Sequence, residues 1–81
     1  MSKESVFQVI KESIVDILPE ISTNQIEIAL SLQDLGANSI DRMDIIIRSM
    51  ESLGVKIPLV ELARVSNIQG LVDLFYERAR A

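Results

Sequence analysis

Ser39 is the residue of this sequence best placed to do chemistry. It stands in the run LGANSIDRMDII, residues 35–46, where a glycine precedes the serine and Asp41, Arg42 and Asp44 follow it. A serine acts as a nucleophile only when a neighbouring base takes its proton. The chain has no His and no Cys, which removes the usual Ser–His pairing, thiolate chemistry and Cys/His metal sites. We therefore predict no catalytic residue and no metal site, and we interpret Ser39 as a group that another enzyme modifies.

A purely structural role for Ser39 is the alternative. Serine is a favoured N-cap, and a capping serine needs no further role. Asn38 is an equally good cap, so two neighbouring side chains compete for one position at the start of a helix. If Asn38 is the cap, the Ser39 hydroxyl is free to face solvent. Free amides and the helix dipole would favour an attached phosphate there.

The first predicted helix and the loop after it lead the chain to Ser39. Apolar residues recur every three or four positions from Ser5 to Leu18, which is typical of an amphipathic helix, with Ser2 or Ser5 as its cap. Pro19 ends this helix. The loop over residues 19–38 has no helical period, but apolar anchors are spaced along it, which predicts an ordered connection. These anchors are Ile21, Ile26, Ile28, Leu32 and Leu35.

Three more helices complete the predicted fold. A second helix covers residues 39–53 and ends at Gly54, a short third runs from Leu59 to about Arg64, and Ser66 or Asn67 caps a fourth. No segment alternates as a strand does. We predict an all-α, small four-helix bundle with three longer helices, one short third helix and a long ordered first loop, as one domain over residues 1–81. Because hydrophobic residues make up 48% of the chain and aromatic residues 4%, we expect a core of Ile, Leu, Val and Met.

The second helix has more apolar faces than one core requires. On a helical wheel, Ile46, Met50 and Leu53 share one side, Ile40, Met43 and Ile47 lie on a neighbouring side, and Ile45 is apart from both. Asp44 and Glu51 lie beside the second of these sides, which makes its full burial costly. Two interpretations remain open: a helix wrapped by the core on three sides, or an exposed stripe whose apolar anchors, framed by acids, bind a basic partner.

Composition also limits the partners and the compartment. Twelve acidic against eight basic residues give a net charge of −4, which argues against binding to nucleic acid or to anionic membranes. The N-terminal sequence MSKESVFQ lacks the apolar core of a signal peptide, and no apolar run approaches membrane-spanning length. The absence of Cys is compatible with a reducing compartment. We expect a complete, cytoplasmic and monomeric chain.

The run Leu35-Gly36-Ala37-Asn38-Ser39-Ile40 resembles the LGxDSL signature of acyl carrier proteins, in which the serine receives 4′-phosphopantetheine from coenzyme A. The resemblance covers nearly the whole chain, including SLQDLG in the long loop and VKIP after the second helix. It implies that a phosphopantetheinyl transferase attaches the arm to Ser39. It also implies that acyl groups are held as thioesters on the terminal thiol of the arm.

The resemblance implies roles for the residues around Ser39 as well. In this family the second helix recognises partner enzymes, which favours the exposed-stripe interpretation. The recognition residues implied are Ile40, Asp41, Met43, Asp44, Ile47 and Glu51. The gap between the second and third helices holds the arm or the acyl chain in this family, and the residues implied there are Met43, Leu59, Leu62 and Val65.

Two departures from the family pattern narrow the comparison. The aspartate of the signature is Asn38 here, and the second helix is nearly neutral because Arg42 and Arg48 stand among its acids. The segments GANSIDRMDII, MESLGVKIP and VELARVSNIQGLVDLF are similar to the freestanding donor carriers of polyketide β-branching cassettes. That similarity implies malonyl loading by an acyltransferase, decarboxylation to acetyl by a ketosynthase-like enzyme, and delivery to a 3-hydroxy-3-methylglutaryl (HMG)-CoA synthase-like enzyme. The alternatives are a general standalone carrier of fatty-acid or polyketide synthesis and a helical adaptor without a prosthetic group.

Overall fold

Four α-helices and one 3₁₀ turn make up the computed structural model, which describes residues 2–80. The helices are α1 (Lys3–Ile17), α2 (Ser39–Leu53), α3 (Leu59–Leu62) and α4 (Ile68–Arg80), and the 3₁₀ turn (Thr23–Gln25) lies in the first loop. The described residues contain no strand. The predicted all-α class, with its short third helix and long first loop, is confirmed. The predicted domain over residues 1–81 extends one residue beyond the described part at each end.

The core is built around α1, which lies along both α2 and α4. Ile10 and Ile14 of α1 are fully buried, as is Phe75 of α4, the largest of the fully buried side chains. Aliphatic residues supply the rest of the core, as predicted. Met contributes less than predicted, because Met50 is half-buried and packs against the core from its margin, while Met43 is half-buried and is not part of the buried core. None of the helices described combines the length and the apolar character needed to cross a bilayer.

The position of Ile45 corrects the helical-wheel interpretation of α2. Ile45 is fully buried, and it forms one buried stripe with Ile46 and Ser49. The wheel sets Ile45 apart because it treats Ser49, which lies inside that stripe, as a polar residue. The Ser49 hydroxyl donates to the carbonyl of Ile45 at 2.8 Å, so it can be buried without leaving an unpaired polar group.

Apolar anchors and backbone hydrogen bonds together hold the first loop in place. Of the predicted anchors, Ile26, Leu32 and Leu35 are buried, and Ile21 and Ile28 are half-buried. The carbonyls of Ile28 and Leu30 accept hydrogen bonds from the amides of Gln69 and Ile68, each at 2.8 Å. The loop therefore satisfies amides at the start of α4 that a helix leaves without partners.

Capping sets the helix ends, and three of them differ from or refine the prediction. Ser2 caps α1 by accepting a hydrogen bond from the Ser5 amide at 3.1 Å, so α1 begins two residues earlier than predicted. Asn67 caps α4 by accepting from the Gly70 amide at 2.9 Å, which decides between Ser66 and Asn67. The chain tightens into turns after Leu62, so α3 ends there and not near Arg64.

Candidate functional site

A tight turn positions the chain just before Ser39. Gly36 adopts a φ of 95°, a region that costs a residue with a Cβ atom far more than glycine. The amide of the next residue, Ala37, reaches back to the carbonyl of Leu32 at 3.1 Å, and the Ala37 side chain is buried. This is the pattern that usually closes a helix at a C-terminal glycine. Ser39 therefore follows a backbone that is fixed on its N-terminal side.

Asn38, and not Ser39, is the cap of α2. The Asn38 Oδ1 atom accepts a hydrogen bond from the Asp41 amide at 2.8 Å, and the Asp41 carboxylate accepts one from the Asn38 amide at 3.4 Å. This reciprocal pair is a capping box. Ser39 is the first residue of the helix and is exposed, and its hydroxyl makes no hydrogen bond to any other residue between 2 and 80. The hydroxyl is thus free at the positive end of the helix dipole.

A mostly apolar cavity of about 300 Å³ opens beside Ser39, between α2 and α3. Its lining consists of Ser39, Arg42, Met43, Ile46, Leu59, Leu62 and Ala63. Three of the four residues implied in arm or acyl contact, Met43, Leu59 and Leu62, therefore lie together with Ser39. Val65, the fourth, does not line this cavity, and it contacts a second one described below. The cavity can shelter a flexible chain attached at Ser39, but it contains no base to deprotonate the hydroxyl.

An exposed apolar surface, which we call the α2–α3 face, lies on the same two helices. Ile40 is 74% exposed and Ile47 is 42% exposed on α2, while Leu59 and Val60 are 61% and 66% exposed on α3. Burial of α2 on three sides would have covered Ile40 and Ile47, so the geometry favours the exposed-stripe interpretation. Val60 is a surface residue that the sequence analysis missed. The length of α3 was a signal for this exposure. A helix of four residues that buries Leu62 cannot also bury Leu59 and Val60.

The predicted acidic residues are placed in two different ways. Asp44 and Glu51 are exposed on the α2–α3 face and make no ion pair within the described part of the chain. Asp41 is half-buried and is engaged in the capping box. The two arginines of α2 do not neutralise the face, because Arg48 pairs with Asp16 of α1 at 3.7 Å and Arg42 lines the cavity beside Ser39. A nearly neutral helix therefore still presents two unpaired carboxylates.

Comparison with known proteins identifies the family. The model of the phosphopantetheine attachment site matches residues 8–75. The chain belongs to the acyl carrier protein family. The prosthetic group of this family is 4′-phosphopantetheine, and its members carry acyl groups. The residues present fit that group, since an exposed hydroxyl without a partner stands at a helix N-terminus beside an apolar cavity. Within residues 2–80 no group of acidic side chains could hold a metal ion.

Two curated relatives and one solved structure are similar to this carrier. It is 37% identical over 81 residues to the polyketide biosynthesis acyl-carrier-protein AcpK of Bacillus subtilis (strain 168), covering 100% of this chain and 99% of AcpK. An acyl carrier protein homolog of Ureaplasma parvum serovar 3 is 29% identical over 82% of this chain and 88% of its own. The crystal structure of the curacin biosynthetic pathway HMG synthase in complex with acetyl donor-ACP matches with a TM-score of 0.83 and 44% identity. That match covers 93% of this chain and 96% of the other.

Proposed function

We propose that this carrier holds acyl groups as thioesters on a 4′-phosphopantetheine arm attached to Ser39 and delivers them to enzymes of polyketide β-branching. The observation that carries the attachment site is the Asn38–Asp41 capping box, which leaves the Ser39 hydroxyl exposed and without a partner. When bound, the arm supplies a thiol that forms thioesters. We propose that the protein itself is not an enzyme, because no side chain lining the cavity can act as a base toward Ser39.

The residues of the chain hold and present the arm. The N-terminus of α2 favours the negative charge of a phosphodiester on Ser39. Met43, Leu59 and Leu62 offer apolar contacts to an arm that folds back into the cavity. Val65 would join them only if the arm extends into the neighbouring cavity, which Val65 lines.

The α2–α3 face is the proposed docking site for partner enzymes. Its exposed isoleucines are suited to pockets on a partner, and its unpaired carboxylates are suited to a basic rim around those pockets. The proposed recognition residues are Ile40, Asp41, Met43, Asp44, Ile47 and Glu51, and the structure adds Val60.

The β-branching role is supported by two of the comparisons, the polyketide carrier AcpK and the acetyl donor-ACP in complex with the curacin HMG synthase. The proposed partners are a phosphopantetheinyl transferase, an acyltransferase that loads malonyl, a ketosynthase-like decarboxylase and an HMG-CoA synthase-like enzyme. The single domain, the monomeric state, the cytoplasmic location and the lack of nucleic-acid or membrane partners remain predictions.

Intact mass tests the attachment site. Incubation with coenzyme A and a broad-specificity phosphopantetheinyl transferase should raise the mass by one phosphopantetheine, and Ser39→Ala should abolish the gain. Ser52→Ala is the matched control, because Ser52 is another exposed serine of α2 and should leave the gain intact. Loading of Ser39→Ala, or no loading of the unchanged protein by any active transferase, would contradict the proposal.

Two alternatives have their own tests. A general standalone carrier would be accepted by fatty-acid enzymes as readily as by an HMG synthase-like enzyme, and its gene would lack decarboxylase-like and synthase-like neighbours. A helical adaptor would keep its partner binding and its cellular role in Ser39→Ala.

A further inference from the structure

Two cavities lie side by side in this carrier and share part of their lining. The first is the cavity beside Ser39. The second, of about 260 Å³, lies between the first loop and the segment that leads into α4. Arg42, Ile46, Leu62 and Ala63 line both of them. Arg42 therefore lines both the cavity that a flexible chain attached at Ser39 would occupy and the neighbouring one.

Arg42 is the charged side chain that the two cavities share, and no acidic side chain lines either of them. That is unexpected in a protein with a net charge of −4. Arg42 makes no ion pair with any residue from 2 to 80, whereas Arg48 of the same helix pairs with Asp16 at 3.7 Å. The planar guanidinium of Arg42 is therefore available, and its paired donors match the geometry of a carboxylate.

The second cavity offers further hydrogen-bond donors. The side chains of Gln33 and Ser66 line it and make no hydrogen bond within the described part of the chain. Ser31 and Asn67 also line this cavity, and each accepts a hydrogen bond, from the Asp34 amide at 3.0 Å and from the Gly70 amide at 2.9 Å, while keeping a donor of its own. A carboxylate beside Arg42 would thus find an amide and a hydroxyl free to donate to it.

We propose that Arg42, with Gln33 and Ser66, binds the carboxylate of a carboxylated acyl group such as malonyl. This inference rests on the proposed attachment of the arm at Ser39. Arg42 is a positioning residue in this arrangement, because it holds the carboxylate while the loaded arm lies on the carrier and takes no part in breaking the C–C bond, which the decarboxylase carries out. Decarboxylation releases the carboxylate as CO₂, and the electron pair left on the α-carbon takes a proton, which gives acetyl. The acetyl group has no charge for Arg42 to bind, so the acetylated end of the arm leaves Arg42 and is free to enter the next enzyme.

Backbone and side-chain NMR of two loaded forms tests this. A broad-specificity transferase would load the arm directly from malonyl-CoA or from acetyl-CoA, with intact mass confirming each product. In the unchanged protein, the amide signals of Gln33 and Ser66 and the Nε signal of Arg42 should differ between the malonyl and acetyl forms. Arg42→Gln should remove the differences at Gln33 and Ser66. Arg64→Gln is the matched control, since Arg64 is exposed, has no ion-pair partner within residues 2–80 and lines neither cavity.

Hydrolysis of the thioester gives a second readout. Arg42→Gln should speed hydrolysis of the malonyl form about two- to fivefold, the effect expected from losing one solvent-exposed charge pair, and leave the acetyl form unchanged.

Identical malonyl and acetyl spectra in the unchanged protein would overturn the inference. So would differences that survive in Arg42→Gln. If the Nε signal of Arg42 shifts by the same amount when the arm carries no acyl group, Arg42 binds the phosphodiester and the inference is wrong. Failure of loading would contradict the proposed function itself, and the inference would fail with it.

Discussion

The side chains on the surface between α1 and α4 make contacts that those of the α2–α3 face do not. Between α1 and α4, Lys3 pairs with the Asp73 carboxylate at 3.0 Å and lies over the ring of Tyr76, 5.6 Å from its centroid. Gln69 also donates to that carboxylate, at 3.0 Å. On the α2–α3 face, by contrast, apolar side chains are exposed and the carboxylates have no partner. The polar side chains between α1 and α4 therefore bind one another, whereas the carboxylates of the α2–α3 face make no ion pair within residues 2–80.

This difference separates the part that maintains the fold from the part that we propose as the docking site for other proteins. The fully buried side chains of α1 and α4 pack against each other and α2, so they supply most of the stability. α3 contributes little to the core, because it is attached through the buried Leu62 and the ion pair of Glu61 with Arg78, while Leu59 and Val60 remain exposed. Substitutions on the α2–α3 face should therefore alter binding without unfolding the carrier.

The largest effect should come from removing the apolar anchors of the α2–α3 face. We expect the double substitution Ile40→Ala and Ile47→Ala to weaken binding to an HMG synthase-like enzyme about 10- to 100-fold, in the range typical of interface hot spots. Because both side chains are exposed in the free carrier, the free energy of unfolding should fall by less than about 1 kcal/mol. Calorimetric titration and urea denaturation measure the two quantities.

Ile17→Ala is the control for this double substitution, since it makes the same chemical change on α1, where Ile17 is half-buried against the core. It should lower stability and leave the affinity unchanged. The contrast between the two surfaces would be lost if Ile17→Ala weakened binding as much as the changes at Ile40 and Ile47.

A smaller effect is expected at Asn38, where the fold and the site depend on one side chain. Asn38→Ala removes the cap of α2 and should lower the free energy of unfolding by about 1 kcal/mol. It should also slow loading, because Ser39 becomes the best remaining side chain to bond the free amides. Asn38→Asp keeps the capping oxygen and should preserve both properties. Urea denaturation and the rate of mass gain provide the measurements, and unchanged stability in Asn38→Ala would show that the cap contributes nothing.

Features coded by neighbouring residues were predictable from the sequence. The order of the helices, the competition between Asn38 and Ser39 at the start of α2, and the anchors of the first loop depend on local patterns of apolar and capping residues. The exposure of Ile40 and Ile47 was one of two open interpretations. It could not be decided from the pattern of α2 alone, because it depends on what α3 leaves uncovered.

Features that depend on tertiary contacts were not predictable. The pairing of Arg48 with Asp16 brings together helices that are distant in sequence. Val65 does not line the cavity beside Ser39, because its side chain packs against the first turn of α4. A Cβ atom added to Gly70 would lie 2.7 Å from Val65 Cγ1, so the glycine permits this close approach. The grouping of Ile45 with Ile46 was missed because Ser49, whose hydroxyl bonds to its own helix, behaves as a small core residue.

The smallest expected effect lies on the surface between α1 and α4, at the pair of Lys3 and Asp73. The hydrogen bond from Lys3 is the main reason that the pKa of the Asp73 carboxyl lies below its ordinary value. Burial opposes this lowering, and the hydrogen bond from Gln69 and the charge of Lys3 add to it. Lys3→Met should raise that pKa toward the ordinary range, which NMR titration of the Asp73 carboxyl measures.

A carboxyl with a lowered pKa stabilises the fold above its unfolded-state pKa and loses this contribution as the pH falls through its folded-state value. The stability difference between the two proteins should therefore shrink below about pH 4. It should stay under about 1 kcal/mol at neutral pH, because both side chains are half-exposed. Lys56→Met, which removes an exposed lysine without an ion pair among residues 2–80, should leave the Asp73 titration unchanged. An Asp73 midpoint that stays low in Lys3→Met would show that the hydrogen bond from Gln69, and not the pair with Lys3, lowers this pKa.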